Sequence, residues 1–364
     1  MDLLARAIEL KPELVHYATS GRFARELTAV LDRFYAEAQA DEAAAFLPVD
    51  YFTHQHRLPG GDTVIDRFVG DRPDLDDADR ELVLSWKDVV EGVFEVRQGE
   101  DGGAVLLFNL VDELAYLTRS NLGDDAFDAL APGMFVVGRL VPLGGDWLIS
   151  GTPSVHTAEA RATLVPVAAH IAMDNPAVVF RNPEALARAW ELQAEHRRCF
   201  ITYFGADLVV LPGADVRERM SGYLDYQYER LGGHRPSFAV PEHVREADTV
   251  ALIYDADEGL GYYAEFGRLA EVFERPELVA KGLCRDLVTA YLKGDAVSPV
   301  PLVRLATRDP GKAGEVFARL LGRAGFRWER SGEALLRTHK PGRSDAPRLP
   351  SVIPMTAAIK EHLG

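Results

Sequence analysis

The sequence contains little cysteine and no long apolar run, and each absence excludes a class of protein. Its 364 residues include two cysteines, Cys199 and Cys284, too few for a disulfide framework or a multi-cysteine zinc site. No apolar stretch approaches the roughly 18 residues that a membrane-spanning helix needs. The N-terminal stretch MDLLARAIELKPELVHY carries charges throughout and lacks the apolar core of a signal peptide. We therefore expect a cytoplasmic protein without membrane contacts.

Sequence motifs of nucleotide binding and of hydrolysis are also missing. Residues 60–63, GGDT, lack the lysine of a phosphate-binding loop, and no Gly-x-Gly-x-x-Gly follows a predicted strand. There is no serine nucleophile elbow and no His-Glu-x-x-His motif. We predict no nucleotide cofactor, and the one cofactor that the sequence suggests is a divalent metal ion.

Length and hydrophobic content predict a multi-domain α+β protein. The chain is too long for one ordinary core, and 47% of its residues are hydrophobic. The pattern predicts four segments: a helical region with a short hairpin (1–88), a small β-barrel-like domain (89–152), an α+β domain (153–340) and an extended tail (341–364).

The barrel-like segment is predicted from short strand candidates with glycine-bearing turns between several of them. The candidates are GVFEV, AVLLFNLV, LAYLTRS, MFVVGRLVPL and DWLISG. Evenly spaced short strands of this kind are typical of a small barrel or a curled sheet.

Several further elements are predicted from local patterns. Alternation in YFTHQHRL (51–58) predicts a short strand, and FRWERSGEALLRTHK (326–340) predicts a closing hairpin. Pro12 and Pro166 are each expected to break or bend a helix. Residues 249–266 predict two strands joined by the acidic turn DADEG.

A histidine pair suggests a metal site in the first segment. In a strand, residues two apart share a face, so Asp50, His54 and His56 would converge. Zinc and similar ions take three or four such ligands, and Asp62 or Asp66 across the turn would supply the fourth. The competing interpretation is two ordinary histidines on a hairpin, because no second histidine cluster accompanies them.

Two other groups have a structural and a chemical interpretation. His196 and Cys199 fall on one helical line, which fits either a nucleophile with its base or a core cysteine beside a core histidine. The position of Cys199 inside a helix favours the core interpretation. The DADEG turn lacks the glycine and glutamate spacing of a calcium loop, so a hairpin turn explains it.

Charge is distributed unevenly along the chain. The formal net charge is −16, and residues 88–151 hold eleven acidic and three basic residues, a net −8. Residues 304–348 reverse the balance, with eleven basic and five acidic residues, a net +6. Such a basic segment binds phosphate groups or an acidic partner, or docks on the acidic barrel of the same chain. The candidate binding residues are Arg319, Arg323, Arg327, Trp328 and Arg330.

Several stretches occur together in a recognisable order. They are RLPGGDTVIDRF, ELVLSWKD, GVFEV, RLVPLGGDWLISG, VALIYDADEGLGYY and GFRWERSGEALLRTHKP. With these stretches the chain resembles a group of uncharacterised bacterial proteins, some of which end in a SEC-C tail, a cysteine-rich zinc module. This chain has no such tail, since its last cysteine is Cys284. The resemblance implies a bacterial protein and no known activity.

Two functions follow as hypotheses. The first is a non-enzymatic binding or regulatory protein that contacts a protein or nucleic-acid partner through the basic C-terminal segment. The alternative is a metal-dependent hydrolase in which Asp50, His54 and His56 hold an ion that activates water.

Overall fold

The computed structural model describes residues 2–38, 48–100, 103–121, 123, 126–232, 238–294, 297–340 and 348–363. The chain divides into two compact units. Unit 1 comprises Met1–Ala185 together with Met355–Gly364, and unit 2 comprises Leu186–Pro354. The α+β class is confirmed by the element content, whereas the four predicted segments stay a prediction.

Helices form the first part of unit 1. They are α1 (Leu3–Ala18), α2 (Ala24–Ala38), α3 (Pro48–His54), α4 (Val64–Asp71) and α5 (Asp77–Ser85). The buried face of α1 carries one charged side chain among apolar ones: Ala7, Leu10, Lys11, Leu14 and Ala18. Pro12 lies inside this helix, so the break predicted there is wrong. The buried stripe extends on both sides of Pro12 and maintains the helix despite the lost backbone donor.

The stretch that predicted a strand at 51–58 is largely helical. Helix α3 begins at Pro48, and the hydroxyl of Thr53 donates to the carbonyl of Val49 at 2.7 Å. Beyond it, Arg57 and Thr63 form an isolated β-bridge. Proline favours the first helical position, where its missing N–H costs nothing. The predicted strand is therefore wrong, because alternation over so few residues did not outweigh a proline helix start.

Five strands follow at the predicted positions. They are β1 (Val90–Glu100), β2 (Ala104–Asn109), β3 (Ala115–Arg119), β4 (Phe135–Leu143) and β5 (Asp146–His156). The order is β1-β2-β3-β5-β4, and β4 also pairs with β1, so each strand has two neighbours. Only the β3–β5 pair is parallel. In the β4–β5 pair the register shifts between Val137 and Arg139, opposite the stretch of β5 that contains Gly151, whose φ is +70°.

Three helices come after the sheet. They are α6 (Arg161–Asp174), α7 (Pro176–Val179) and α8 (Pro183–Phe204). Helix α6 runs through Pro166 and is not broken there. At the start of α8, the side chain of Asn182 caps the helix by accepting a hydrogen bond from the backbone N–H of Glu184.

Unit 2 is built on a three-stranded antiparallel sheet of order β6-β7-β8. The strands are β6 (Leu208–Leu211), β7 (Val250–Asp255) and β8 (Gly259–Ala264). The helices are α9 (Val216–Leu231), α10 (Glu242–Arg245), α11 (Phe266–Glu274), α12 (Gly282–Lys293), α13 (Val300–Arg308), α14 (Pro310–Leu321) and α15 (Trp328–His339). Strand β7 is buried on both faces: Leu252 and Tyr254 enter one hydrophobic core, and Ala251 and Ile253 enter another.

Two predictions for the C-terminal part need correction. Residues 326–340 do not form a hairpin; most of them form α15, in which Gly332 and Leu335 are buried at helical spacing. The hairpin was predicted because the short apolar runs at the two ends of this stretch resemble a pair of strands. In the predicted extended tail, residues 348–356 have no helix or strand, but α16 (Ala357–Leu363) is helical.

Candidate functional site

The structure brings together two of the three residues predicted to bind a metal. Asp50 and His54 are one turn apart on α3, with His54 Nδ1 3.3 Å from Asp50 Oδ1. His56 lies beyond the helix, and its ring stacks on Phe52 with 5.3 Å between centroids. It lines a different cavity of about 640 Å³, beside Tyr51. The strand that was to align all three side chains is absent, so His56 does not share their face.

The candidate fourth ligands are engaged elsewhere. Asp62 pairs with Arg67 at 3.0 Å. Asp66 caps α4 through Thr63 and pairs with Lys87 at 2.7 Å. Within the described ranges no group of three or more His, Cys, Asp or Glu side chains is placed to hold a metal ion. The metal site stays a prediction, and the geometry around Asp50 favours other chemistry.

Asp50 and His54 belong to a buried polar cluster with three further residues. Lys11 Nζ lies 3.0 Å from His54 Nε2 and donates to Ser150 Oγ at 2.5 Å. Ser150 in turn donates to Asp50 Oδ1, and Arg139 Nη1 lies 3.2 Å from Asp50 Oδ2. Each of the five residues is less than a tenth exposed. We call this set of residues the Lys11 cluster.

Four elements position the Lys11 cluster. Lys11 projects from the apolar face of α1, and α3 supplies Asp50 and His54. Arg139 and Ser150 are directly opposite each other on β4 and β5. Next to Ser150, a Cβ on Gly151 would lie 3.4 Å from the Asp50 side chain, so this glycine allows α3 to approach the strand closely.

The hydrogen bonds define the protonation state of His54. Its Nδ1 faces the carbonyl oxygen of Asp50 at 2.8 Å, an acceptor, so Nδ1 carries the proton. Its Nε2 is then free to accept from the ammonium of Lys11. Burial, followed by the positive charge of Lys11, lowers the pKa of His54 to about 3. The ring is therefore neutral at physiological pH.

Lys11, Arg139 and Asp50 carry the charges of the cluster. Burial, with help from Arg139, lowers the pKa of Lys11 to about 8, while Asp50 acts in the opposite direction. Burial alone would raise the pKa of Asp50, but His54, then Arg139 and Lys11, and finally the Ser150 hydroxyl lower it to about 2. A buried amine that loses its proton near neutral pH is unusual for lysine. Such groups concentrate at functional sites.

A cavity of about 710 Å³ opens beside the Lys11 cluster. Lys11, Asp50 and Ser150 line it together with Asn121 and Thr53. Its volume lies within the range of small-molecule sites, which combine apolar walls with a few convergent polar groups.

Lys11→Met is expected to remove a pH dependence of stability. Because the folded-state pKa of Lys11 is about 8 and the unfolded value is about 10.5, the unfolded chain binds more protons between these pH values. The free energy of unfolding of the wild type should rise relative to that of Lys11→Met by about 2 kcal/mol from about pH 8 to about pH 10. Urea unfolding at both pH values measures the difference, with the exposed Lys281→Met as control. Parallel pH curves for wild type and Lys11→Met would contradict the assignment.

Sequence reasoning missed three members of the cluster: Lys11, Arg139 and Ser150. Two of them left a signal. Lys11 interrupts an apolar helical stripe, and Arg139 interrupts the apolar strand FVVGRLVPL. A charged residue at a core position must find a partner. Ser150 gave no such signal, because a serine in a strand is ordinary.

Cys199 and the DADEG turn, which had a chemical and a structural interpretation, have structural roles. Burial raises the pKa of the Cys199 thiol, which is the opposite of what a nucleophile needs. The backbone N–H groups of Asp257 and Glu258 donate to the side chain of Asp255. The DADEG stretch is thus the turn of the β7–β8 hairpin, as predicted.

The basic C-terminal residues surround the connection between α14 and α15. Arg319 lies on α14, Arg323 in the turn, Arg327 just before α15 and Arg330 in its first turn, and all four are exposed. We call them the arginine surface. In contrast, Trp328 is half-buried and stacks on Phe317 at 5.1 Å.

The described helices include none that is both long and apolar enough to cross a membrane.

Comparisons with known proteins do not place the chain in a family. The resemblance to uncharacterised bacterial proteins stays a prediction. Family models, curated proteins and solved structures were all compared with the chain, and none of them matches it.

Proposed function

We propose that this protein binds an acidic segment of a protein partner through the arginine surface. One observation carries the proposal: four exposed guanidinium groups lie between Arg319 and Arg330, and no carboxylate in the described part of the chain forms an ion pair with them. Elsewhere in unit 2, Arg304 pairs with Asp207 and Arg337 with Glu333. Unpaired cations grouped on one surface create a local positive potential that attracts carboxylates.

The shape of this region supports anion binding. A groove of about 440 Å³ lies beside the arginine surface and includes Arg323, Ser331 and His339 in its lining. Burial and then the charges of Lys293, Arg323 and a further lysine lower the pKa of His339, which reports a positive local field. Helix α15 begins here without a side-chain cap, so its first backbone N–H groups also favour negative charge.

An acidic protein segment fits this surface better than a nucleic acid does. Single-stranded nucleic acids bind by stacking bases on exposed aromatic rings. Trp328 is covered by Phe317, and a Cβ on Gly332 would lie 2.6 Å from the indole ring, so the ring is engaged on the protein side. The formal net charge of −16 also repels a long polyanion.

We infer that the five-stranded sheet of unit 1 is a small barrel, because its first and last strands in the spatial order pair with each other. Its acidic segment, with net charge −8, is an unfavourable surface for an acidic partner. The binding function therefore belongs to unit 2.

Both cysteines are free, in keeping with the proposed cytoplasmic location.

Charge reversal tests the arginine surface. The triple variant Arg323→Glu, Arg327→Glu, Arg330→Glu is expected to weaken binding of a fluorescent oligoglutamate peptide by at least about tenfold. Fluorescence anisotropy measures the affinity at about 50 mM and about 200 mM salt, where the wild type should lose affinity as salt rises.

A second triple variant provides the matched control. Arg198→Glu, Arg217→Glu, Arg245→Glu changes the net charge equally at exposed positions of the same unit. It should leave the affinity within about twofold of the wild type, since distant surface charges are screened. Equal losses in the two triple variants, or no binding of the peptide by wild type, would contradict the proposal. Tighter binding of a single-stranded DNA of matched charge would assign the surface to nucleic acid instead.

A further inference from the structure

The Lys11 cluster combines the groups of a nucleophilic site, and it has no part in the proposed binding function. A serine hydroxyl contacts an amine on one side and a carboxylate on the other. All three residues, Lys11, Asp50 and Ser150, line the cavity of about 710 Å³ in unit 1. A hydroxyl within hydrogen-bond distance of a base, beside a cavity, is the geometry of an activated nucleophile.

We propose that Ser150 is a nucleophile and Lys11 its general base, in a site that hydrolyses small carboxylic esters held in this cavity. In the structure Lys11 Nζ donates to Ser150 Oγ at 2.5 Å and the Ser150 hydroxyl donates to Asp50. When Lys11 is neutral, its nitrogen is an acceptor within hydrogen-bond distance, and the Ser150 hydroxyl turns from Asp50 to donate to it. Serine–lysine pairs of this kind are a recognised variant of the serine–histidine arrangement.

The surroundings of Lys11 allow it to act as a base. Burial lowers its pKa to about 8, so a fraction of the amine is neutral at physiological pH. The charged and titratable groups that act on it are Asp50 and His54 on α3 and Arg139 on β4. Glu91 on β1 lies opposite Arg139. His54 is neutral and its Nε2 accepts from Lys11, which orients the amine toward Ser150.

The composition of the cluster is not that of a site built for stability alone. Arg139 Nε is buried and makes no hydrogen bond to any described group, while Asp50 Oδ2 has only its ion-pair contact with Arg139 Nη1. Buried polar atoms without partners are uncommon and cost free energy. Apolar side chains of similar volume often stabilise a protein as well as a buried ion pair does. The retained charges next to a cavity therefore point to a chemical role.

The reaction balances with water as the second substrate. Neutral Lys11 accepts the Ser150 Oγ proton as Oγ bonds to the ester carbonyl carbon. The ester C–O bond then breaks, and the leaving alkoxide takes that proton from Lys11 to depart as an alcohol. Water attacks the acyl-serine and gives a proton to Lys11, which returns it to Ser150 Oγ as the carboxylic acid leaves. The sum is ester and water converted to acid and alcohol.

Covalent labelling of the full chain with an alkyl fluorophosphonate tests the nucleophile. One adduct per chain is expected at about pH 9, located at Ser150 by peptide mass spectrometry. The labelling rate should rise as pH increases through about 8, because Lys11 loses its proton there. No adduct on the wild-type chain, or an adduct at Lys11 or at another serine, would overturn the assignment.

Three variants test the roles with p-nitrophenyl acetate as the probe ester. Ser150→Ala and Lys11→Met should each lower the hydrolysis rate at about pH 9 by about 100-fold or more. Ser154→Ala is the matched control, because Ser154 is in the same strand and contacts His156 instead, and it should keep the wild-type rate. Circular dichroism establishes that each variant is folded. Equal rates for wild type and a folded Ser150→Ala would overturn the proposal, without bearing on peptide binding by unit 2.

Discussion

Asp50→Ala is expected to lower the free energy of unfolding of unit 1 by about 3–5 kcal/mol. Asp50 is the carboxylate that Arg139 Nη1 approaches at 3.2 Å and that accepts the hydrogen bond of Ser150. Without it, the buried ammonium of Lys11 and the buried guanidinium of Arg139 lose the carboxylate of the cluster. Leaving a buried charge uncompensated costs far more than losing the net stabilisation of an ion pair. Urea unfolding followed by circular dichroism measures the loss.

Asp62→Ala is the matched control for this prediction. Asp62 also pairs with an arginine, Arg67, but both side chains are nearly half exposed. Exposed ion pairs contribute at most about 1 kcal/mol, so this variant should unfold almost as the wild type does. A loss of less than about 1 kcal/mol in Asp50→Ala would show that water or a shift of Lys11 compensates the missing carboxylate.

The strands of unit 1 and the β7–β8 hairpin were predictable because their signals are local. Short apolar runs mark the strands, and glycine or acidic residues form several of the turns. Short stretches with two periodicities were not predictable in the same way. Residues 51–58 alternate as a strand does, yet Pro48 begins a helix there. Residues 326–340 have apolar residues at both ends that fit a hairpin as well as a helix.

The candidate site was only partly predictable because its members are distant in sequence. Asp50 and His54 attracted attention as metal ligands, and their proximity follows from one helical turn. Their actual partners come from elsewhere: Lys11 is 43 residues from His54 and 139 from Ser150. No local pattern encodes which face of α1 meets which end of β5; packing of the whole unit decides it.

Phe317→Ala is expected to destabilise unit 2 by about 3–5 kcal/mol. Phe317 is fully buried, and its ring lies within 5.9 Å of the rings of Phe273 and Phe326. It also stacks on Trp328 at 5.1 Å. Truncation leaves a cavity and removes three aromatic contacts together. Because Trp328 is the first residue of α15, the variant should also loosen the arginine surface and weaken binding of the oligoglutamate peptide.

The comparison with an exposed aromatic residue separates packing from surface effects. Tyr228 on α9 is 48% exposed, and Tyr228→Ala should change stability by less than about 1 kcal/mol, as is usual for surface substitutions. Urea unfolding followed by circular dichroism measures the stability of both variants. If that variant lost less than about 1 kcal/mol and kept its peptide affinity, the aromatic stack would not be what holds α15 in place. A large loss of stability together with weakened binding would show that the arginine surface depends on the core of unit 2. The aromatic stack that fills this core fixes the start of α15, and Arg327 and Arg330 lie at that start.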